Sequence, residues 1–152
     1  MRLLDSLRKT SILPDIDSHD KKGILELFAD TLTDVSDRTR EELVQVLLER
    51  ERLGSTGIGG GVAIPHGKLK TIDKLLLAFG RSRKGVDFDA MDGRPTHLFF
   101  VLITPEGSTG THLKMLARIS RLLKDNSFKE RLMSAETRDD LYQIIQSEDS
   151  EF

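Results

Sequence analysis

A histidine beside a run of glycines is the part of this sequence best suited to chemistry. His66 follows Pro65 in the segment STGIGGGVAIPHGKL (Ser55–Leu69), which holds five of the chain's twelve glycines. A neutral imidazole can attack phosphorus, and an unperturbed pKa of about 6.5 leaves a histidine mostly neutral in the cytoplasm. Consecutive glycines can turn backbone N–H groups toward an anion. The segment predicts a phosphoryl acceptor at His66, and the residues expected to form its backbone phosphate cradle are Gly59, Gly60 and Gly61.

Other interpretations of this segment stay open on spacing alone. The glycines can form an ordinary turn, with His66 at the end of a strand and its ring satisfied by neighbours. Nucleotide binding is disfavoured, because a Walker loop has four residues between its glycines and Ser or Thr after its lysine. Here five residues separate Gly61 from Gly67, and Leu69 follows Lys68. The spacing does not match a nucleotide loop.

Two arginines and a second histidine could support an anion near His66. Arg50 and Arg52 close the predicted helix before the glycine segment, and a guanidinium can bridge two phosphate oxygens. His112 opens a later predicted helix, where free N–H groups and the helix dipole favour negative charge. Each residue also has an ordinary explanation, because arginine complements the dipole at a helix end and a first-turn histidine can be solvated.

A metal site is a further alternative for the histidines. Zinc needs three or four ligands at suitable spacing, and the chain has no H-x-x-x-H pair. His19 lies in a polar helix start and His97 beside an apolar strand, so both are expected to be structural or solvated. A small metal-dependent hydrolase that uses His66 and His112 stays open. A serine hydrolase is disfavoured, because there is no G-x-S-x-G motif.

The composition narrows the possible partners and the compartment. The chain mixes 23 basic with 25 acidic residues for a formal charge of −2 and has no polybasic run, so nucleic acid is not an expected partner. With no cysteine it cannot form disulfides or thiolate metal sites, which fits a reducing compartment. No apolar run approaches the roughly 18 residues of a membrane span. We expect a cytoplasmic protein that is not membrane-embedded.

The elements that position these residues follow from periodicity and capping patterns. An amphipathic helix is expected over 17–35, capped by Asp17 or Ser18, and a second begins with a capping box of Thr39 and Glu42. Further helices are expected over 112–125, over 127–134 and from a capping box of Thr137 and Asp140, and strands over 62–64, 75–80 and 96–103.

Interspersed helices and strands, with no repeat or linker, predict one α/β domain with helices on a mixed sheet. The strands over 75–80 and 96–103 are apolar throughout and are expected to be buried on both faces. Asp92-Gly93 between them predicts a tight turn. The acidic tail SEDSEF (147–152) is expected to be a frayed, solvated end.

Two long segments resemble a known family. ERERLGSTGIGGGVAIPHGKL and FDAMDGRPTHLFFVLITPEGSTGTHLKMLARISRLLKD are similar to the IIA domain of the fructose/mannitol class of the phosphoenolpyruvate-dependent phosphotransferase system (PTS), nearest to its nitrogen-regulatory branch. The core motif is G-I-G-x-G-V-A-I-P-H-G-K-L. The resemblance runs from about Leu4 to Gln146 and implies a single IIA domain over 1–152, ordered over about 4–146. It also implies a central mixed sheet of about five strands flanked by helices on both sides.

The resemblance also implies a function and roles for individual residues. His66 would accept a phosphoryl group at Nε2 from a histidine phosphocarrier protein, with no cofactor and no metal. Arg50, and not Arg52, would support the phosphoryl group together with His112 and the glycine cradle. Two uses follow: regulation of a target protein, which the motif variants favour, or sugar uptake through transfer to a IIB domain.

Overall fold

The computed structural model describes residues 2–18 and 20–150. A 3-10 turn at Leu3–Asp5 comes first. None of the helices among the described residues is long and apolar enough to cross a membrane. The strands are β1 (Leu7–Leu13), β2 (Gly57–Gly59), β3 (Val62–Ala63), β4 (His66–Leu69), β5 (Leu76–Val86) and β6 (Thr96–Pro105). The helices are α1 (Lys21–Ser36), α2 (Arg40–Arg52), α3 (Thr109–Leu122), α4 (Asn126–Ser134) and α5 (Arg138–Ser150).

These strands form one mixed sheet organised around β6. Strand β6 pairs antiparallel with β5 and parallel with both β3 and β4. Strand β1 adds parallel to β5, and β2 folds back antiparallel on β3. The predicted α/β domain with a mixed sheet is confirmed, with six strands where about five were expected.

Strands β3 and β4 follow the same edge of β6, one after the other. Val62 lies opposite Leu98, and His66 lies opposite Leu102. Between the two strands, the Pro65 carbonyl accepts a hydrogen bond from the Leu102 N–H at 2.9 Å. The glycine end and the histidine end of the motif therefore lie at different positions along β6.

Helices cover both faces of the sheet, as expected. One hydrophobic cluster packs α3, α4 and α5 against residues such as Phe79 and Phe100. The opposite cluster packs α1 and α2 against residues such as Ala78 and Phe99. Neighbouring residues on β5 and β6 thus point to opposite faces, as the pleat of a strand requires. The prediction that both strands are buried on both faces is confirmed.

The helix caps largely follow the sequence pattern. Thr39 and Glu42 form the predicted capping box at the start of α2. The cap of α1 differs: Asp20, and not Asp17 or Ser18, accepts the Gly23 N–H at 2.7 Å. The helix begins later because Asp20 still has extended backbone and forms a β-bridge with Asp87. Later in the chain, Thr137 and Asp140 cap α5 reciprocally, and Gly93 closes the predicted turn onto Ala90.

Three strands were missed because none of them is an apolar run. Strand β1 lies at an edge of the sheet and exposes Arg8–Thr10. Strand β4 has the polar sequence HGKL and pairs with β6, and β2 is the three-residue sequence GIG. A strand with a neighbour on one side and partial burial carries a weak hydrophobic pattern. The predicted strand over 75–80 also continues further, to Val86.

The C-terminal expectation was wrong for 147–150. Helix α5 continues to Ser150, and both Glu148 and Asp149 are buried. Arg118 Nε donates to Asp149 at 2.8 Å and Arg131 Nη2 to Glu148 at 2.7 Å, so paired charges hold this last turn against the domain. The rest of the predicted frayed tail (151–152) and His19 lie outside the described residues.

Candidate active site

The fold brings together the three side chains that the sequence analysis singled out. Arg50, in the last turn of α2, places its Nε 3.3 Å from Nε2 of His66, the first residue of β4. The rings of His66 and His112 lie with centroids 5.5 Å apart and planes inclined by 57°. Arg52 ends the same helix as an exposed side chain. A guanidinium and two imidazoles thus converge from α2, β4 and α3.

The hydrogen bonds of His66 determine where its proton lies. Nδ1 is 2.7 Å from the Ile64 carbonyl oxygen, which can only accept, so Nδ1 carries the proton. Arg50 Nε–H in turn donates to Nε2, which therefore presents a lone pair. Burial lowers the pKa of His66, with the Arg50 charge acting in the same direction and the Ile64 hydrogen bond and Glu51 opposing it. The neutral ring thus leaves Nε2 unprotonated.

Arg50 is itself held by the loop that follows α2. Its Nη1 donates to the Gly54 carbonyl at 2.8 Å, while Nε faces His66. These two contacts use two of the five N–H groups of a guanidinium. Because both Arg50 and His66 are only half-buried, an incoming anion can reach the remaining donors. Arg50 can therefore bind an anion attached to His66 Nε2.

His112 is buried, with 5% of its surface exposed, and is not the solvated first-turn residue that the sequence left open. Helix α3 begins earlier, at Thr109, so His112 already donates its backbone N–H to the Ser108 carbonyl. Its Nδ1 lies 2.7 Å from the hydroxyl oxygen of Thr104 on β6. Burial first, then the charges of His66 and Lys68, lowers the pKa of His112 to about 4. At neutral pH this ring is uncharged.

A lysine adds positive charge beside the histidines. Lys68, two residues after His66 on β4, extends Nζ to the Thr109 hydroxyl at 3.0 Å. Thr109 is the first residue of α3, where backbone N–H groups lack partners within the helix. The lysine that resembled a nucleotide-loop residue in the sequence therefore lies between β4 and the start of α3.

Sequence reasoning missed a buried carboxylate next to Arg50. Glu51 accepts hydrogen bonds from the backbone N–H and the hydroxyl of Thr56, and from Lys21 Nζ at 2.9 Å. This network ties the loop after α2 to the start of α1 and so supports the turn that holds Arg50. In the sequence, Glu51 is one charge among the alternating charges of ERER, and only the packing shows that it points inward.

The glycine turn does not reach the imidazole. Gly61 accepts hydrogen bonds from the N–H groups of His97 and Leu98 at the start of β6, whereas His66 lies opposite Leu102. Four residues along a strand correspond to about 13 Å. The predicted cradle role is therefore corrected. The glycines form the tip of the β2–β3 hairpin, and the left-handed backbone there belongs to Gly59, Gly60 and Gly61.

The hairpin tip is held by two side chains from other parts of the chain. Asp92 accepts the Gly60 N–H at 3.0 Å, and Lys129 Nζ donates to the Gly60 carbonyl at 3.3 Å. The Gly60 N–H bond, together with one from Arg94, lowers the pKa of Asp92. The N–H group at the centre of the expected anion nest is already used within the fold.

The histidines have no metal-binding partners in the part of the chain that the structure describes, 2–18 and 20–150. No group of three or more His, Asp or Glu side chains there is arranged to hold a metal ion. The positively charged Arg50 occupies the space next to His66 Nε2. The group of side chains is suited to an anion.

Comparisons with known proteins show which family the chain belongs to. The family described as "Phosphoenolpyruvate-dependent sugar phosphotransferase system, EIIA 2" matches residues 5–148. A nitrogen regulatory protein of Bradyrhizobium diazoefficiens is 38% identical over 145 residues, 95% of both chains. The fructose-specific EIIABC component of Bacillus subtilis is 36% identical over 150 residues, 98% of this chain and 24% of that protein.

A solved structure shows the same fold at similar identity. The crystal structure of the nitrogen regulatory protein IIA-Ntr from Neisseria meningitidis superimposes with a TM-score of 0.88 at 35% identity, over 93% of this chain and 97% of that one. The family match spans nearly all of α1 to α5 and includes Arg50, His66 and His112. The chain belongs to the EIIA 2 family of the phosphoenolpyruvate-dependent sugar phosphotransferase system.

Proposed function

We propose that this protein is a phosphohistidine carrier of the PTS that receives its phosphoryl group on His66 Nε2 from a histidine phosphocarrier protein. The observation that carries the proposal is the state of His66. A carbonyl holds the proton on Nδ1, and a guanidinium lies 3.3 Å from the lone pair on Nε2. The nucleophilic Nε2 atom and the guanidinium that would stabilise the phosphoryl group attached to it thus lie side by side.

The transfer needs one bond to form and one to break. The Nε2 lone pair of His66 attacks phosphorus, and the donor's nitrogen–phosphorus bond breaks with its electron pair returning to the donor's ring. The Nδ1 proton of His66 stays on the ring, hydrogen-bonded to the Ile64 carbonyl. The product ring therefore carries both a proton on Nδ1 and the phosphoryl group on Nε2. When the next acceptor attacks, the ring leaves as a neutral imidazole. The exchange therefore requires positioning and charge stabilisation more than new covalent chemistry.

Arg50 and His112 have separate tasks in this step. When Nε2 attacks, Arg50 Nε–H gives up its hydrogen bond to Nε2, and the guanidinium, still held by the Gly54 carbonyl, binds the phosphoryl oxygens as negative charge arrives. His112 is buried and neutral and can offer a single hydrogen bond without competing for the phosphoryl group as a second exposed nucleophile. Because His66 is only half-buried, another protein can approach the phosphoryl group on its ring.

We favour regulation over sugar uptake as the use of this carrier. A nitrogen regulatory protein is 38% identical to this chain, and the solved structure of another superimposes with a TM-score of 0.88. A phosphoryl group adds about −1.5 to −2 charges to a surface that carries Arg50 and Lys68. Such a change can switch the binding of a regulatory target in the cytoplasm. Transfer to a IIB domain is the alternative use.

Mass spectrometry of the intact protein tests the carrier function directly. The chain is incubated with phosphoenolpyruvate, enzyme I and the histidine phosphocarrier protein, beside a His66→Ala variant. We expect one acid-labile phosphate on the native chain and none on the variant. No phosphate on the native chain, with all partners active, contradicts the proposal. Rapid loss of the phosphate to a purified fructose-type IIB domain would favour sugar uptake over regulation.

A further inference from the structure

Thr104 lies directly under the supporting histidine. It is the second-to-last residue of β6, pairs with Lys68 of β4, and is fully buried. Its hydroxyl oxygen is 2.7 Å from His112 Nδ1. Among the residues that the structure describes, this hydroxyl has no other hydrogen-bond partner. Because the hydroxyl has this one partner, the direction of the Thr104–His112 hydrogen bond can be assigned.

A buried hydroxyl with one neighbour must donate to it. If Nδ1 of His112 carried the ring proton and donated to Thr104, the hydroxyl proton would be left buried without an acceptor, at the full cost of its desolvation. If the hydroxyl donates, Nδ1 accepts and the hydroxyl proton is satisfied. A neutral imidazole carries one proton, and burial keeps His112 neutral at pH 7. That proton then lies on Nε2.

The two histidines consequently hold opposite tautomers. His66 faces a carbonyl, which can only accept, and so keeps its proton on Nδ1 and a lone pair on Nε2. His112 faces a hydroxyl that donates, and so keeps a lone pair on Nδ1 and a proton on Nε2. With ring centroids 5.5 Å apart, one ring supplies the nucleophile and the other an N–H donor for the group it receives.

We propose that Thr104 is a positioning residue that holds His112 as the Nε2–H tautomer, so that this ring donates a hydrogen bond to the phosphoryl group on His66. The step rests on the proposed function, because it assigns a role in the same transfer. Thr104 touches neither phosphorus nor His66 in this scheme. It acts by excluding the tautomer of His112 whose Nε2 lone pair would repel the phosphoryl oxygens.

The tautomer can be measured without any transfer reaction. Long-range ¹H–¹⁵N spectra of the ¹⁵N-labelled protein at pH 7 distinguish a protonated from an unprotonated nitrogen in each ring. We expect protonated Nε2 for His112 and protonated Nδ1 for His66. A His112 ring protonated on Nδ1 overturns the proposal. This outcome is independent of whether His66 accepts phosphate, so failure of the proposed function and failure of this inference are distinguishable.

A pair of substitutions then tests the role. Thr104→Val keeps the shape and removes the hydroxyl, and Thr104→Ser keeps the hydroxyl. We expect the valine variant to show mixed His112 tautomers and to accept phosphate from the phosphocarrier about 10- to 100-fold more slowly, with serine restoring both. A valine variant that is folded and transfers at the native rate overturns the proposal. A folded Thr104→Ser variant that accepts phosphate as slowly as Thr104→Val also overturns the proposal. If valine does not fold, the serine variant and the native tautomer still decide it.

Discussion

The two ends of β6 use their polar groups differently. At the hairpin end, the N–H and carbonyl of Gly60 are bound by Asp92 and Lys129, and the Gly61 carbonyl accepts two bonds from β6. At the histidine end, His66 Nε2 and the Arg50 guanidinium face each other at a half-buried surface. The comparison shows that glycines shape the sheet at one end, while polar side chains from two helices and a strand meet at the other.

Removal of the Arg50 guanidinium should show most clearly that phosphoryl transfer depends on the histidine end of β6. Arg50→Ala is expected to slow phosphoryl transfer to His66 about 100-fold, because it removes a charged donor preorganised at the point where negative charge arrives. Quench-flow measurement of transfer from the phosphorylated phosphocarrier gives the rate. Arg52→Ala is the matched control, since Arg52 is exposed on the same helix, and its rate should stay native. Equal rates in both variants would show that Arg50 is not part of the site.

The buried carboxylate of Glu51, next to Arg50 in the chain, should contribute to the stability of the domain. Glu51→Gln removes the carboxylate that Lys21 and Thr56 contact, leaving Lys21 only its longer ion pair with Asp89 at 3.5 Å, and is expected to lower the free energy of unfolding by about 2 kcal/mol. Urea denaturation measures the change. Glu49→Gln is the control, because Glu49 is exposed and accepts a hydrogen bond from Gln45 of its own helix. A loss as small as that of the control would contradict the role given to this network.

The pH dependence of stability should reflect the histidine end. His112 has a folded pKa of about 4 against 6.5 for the ordinary group. Between these pH values His112 is protonated in the unfolded chain but neutral in the folded protein. The free energy of unfolding therefore falls as the pH is lowered through that range. We expect His112→Gln to lose less stability than the native chain between pH 7 and pH 4.5, measured by urea denaturation. The same loss in both proteins would mean that His112 is not held neutral by burial.

A substitution at the hairpin should have the smallest effect and none on chemistry. Gly61 has a φ of 80°, and a Cβ there would meet its nearest neighbour at 3.6 Å, so alanine fits sterically but strains the backbone. Gly61→Ala is expected to cost about 1 kcal/mol of stability in thermal unfolding, and Gly61→Asn less, because asparagine tolerates this conformation better. Transfer to His66 should proceed at the native rate. A slowed transfer in a folded Gly61→Ala protein would restore the cradle role that the geometry removes.

Much of the fold and of the site was accessible from the sequence because the relevant signals are local. The capping box of Thr39 and Glu42 and the two strands buried on both faces follow from side chains a few positions apart. The motif around His66 is long enough to indicate its family, and that resemblance also selected Arg50 over Arg52. The edge strand β1 and the polar strand β4 were missed because partial burial leaves little hydrophobic pattern.

The sequence by itself determined the α/β class and the family, and it singled out the histidine proposed to accept the phosphoryl group, since these depend on residue types and on spacing along the chain. Only the tertiary structure decided that the glycines lie at the far end of β6, because strand register is set by packing across the sheet. It also decided the tautomers of His66 and His112. Those depend on which group faces each ring nitrogen: the backbone carbonyl of Ile64, two residues before His66, and the hydroxyl of Thr104 on β6, which faces His112 of α3. Residue types along the chain do not show which ring nitrogen each of these groups contacts.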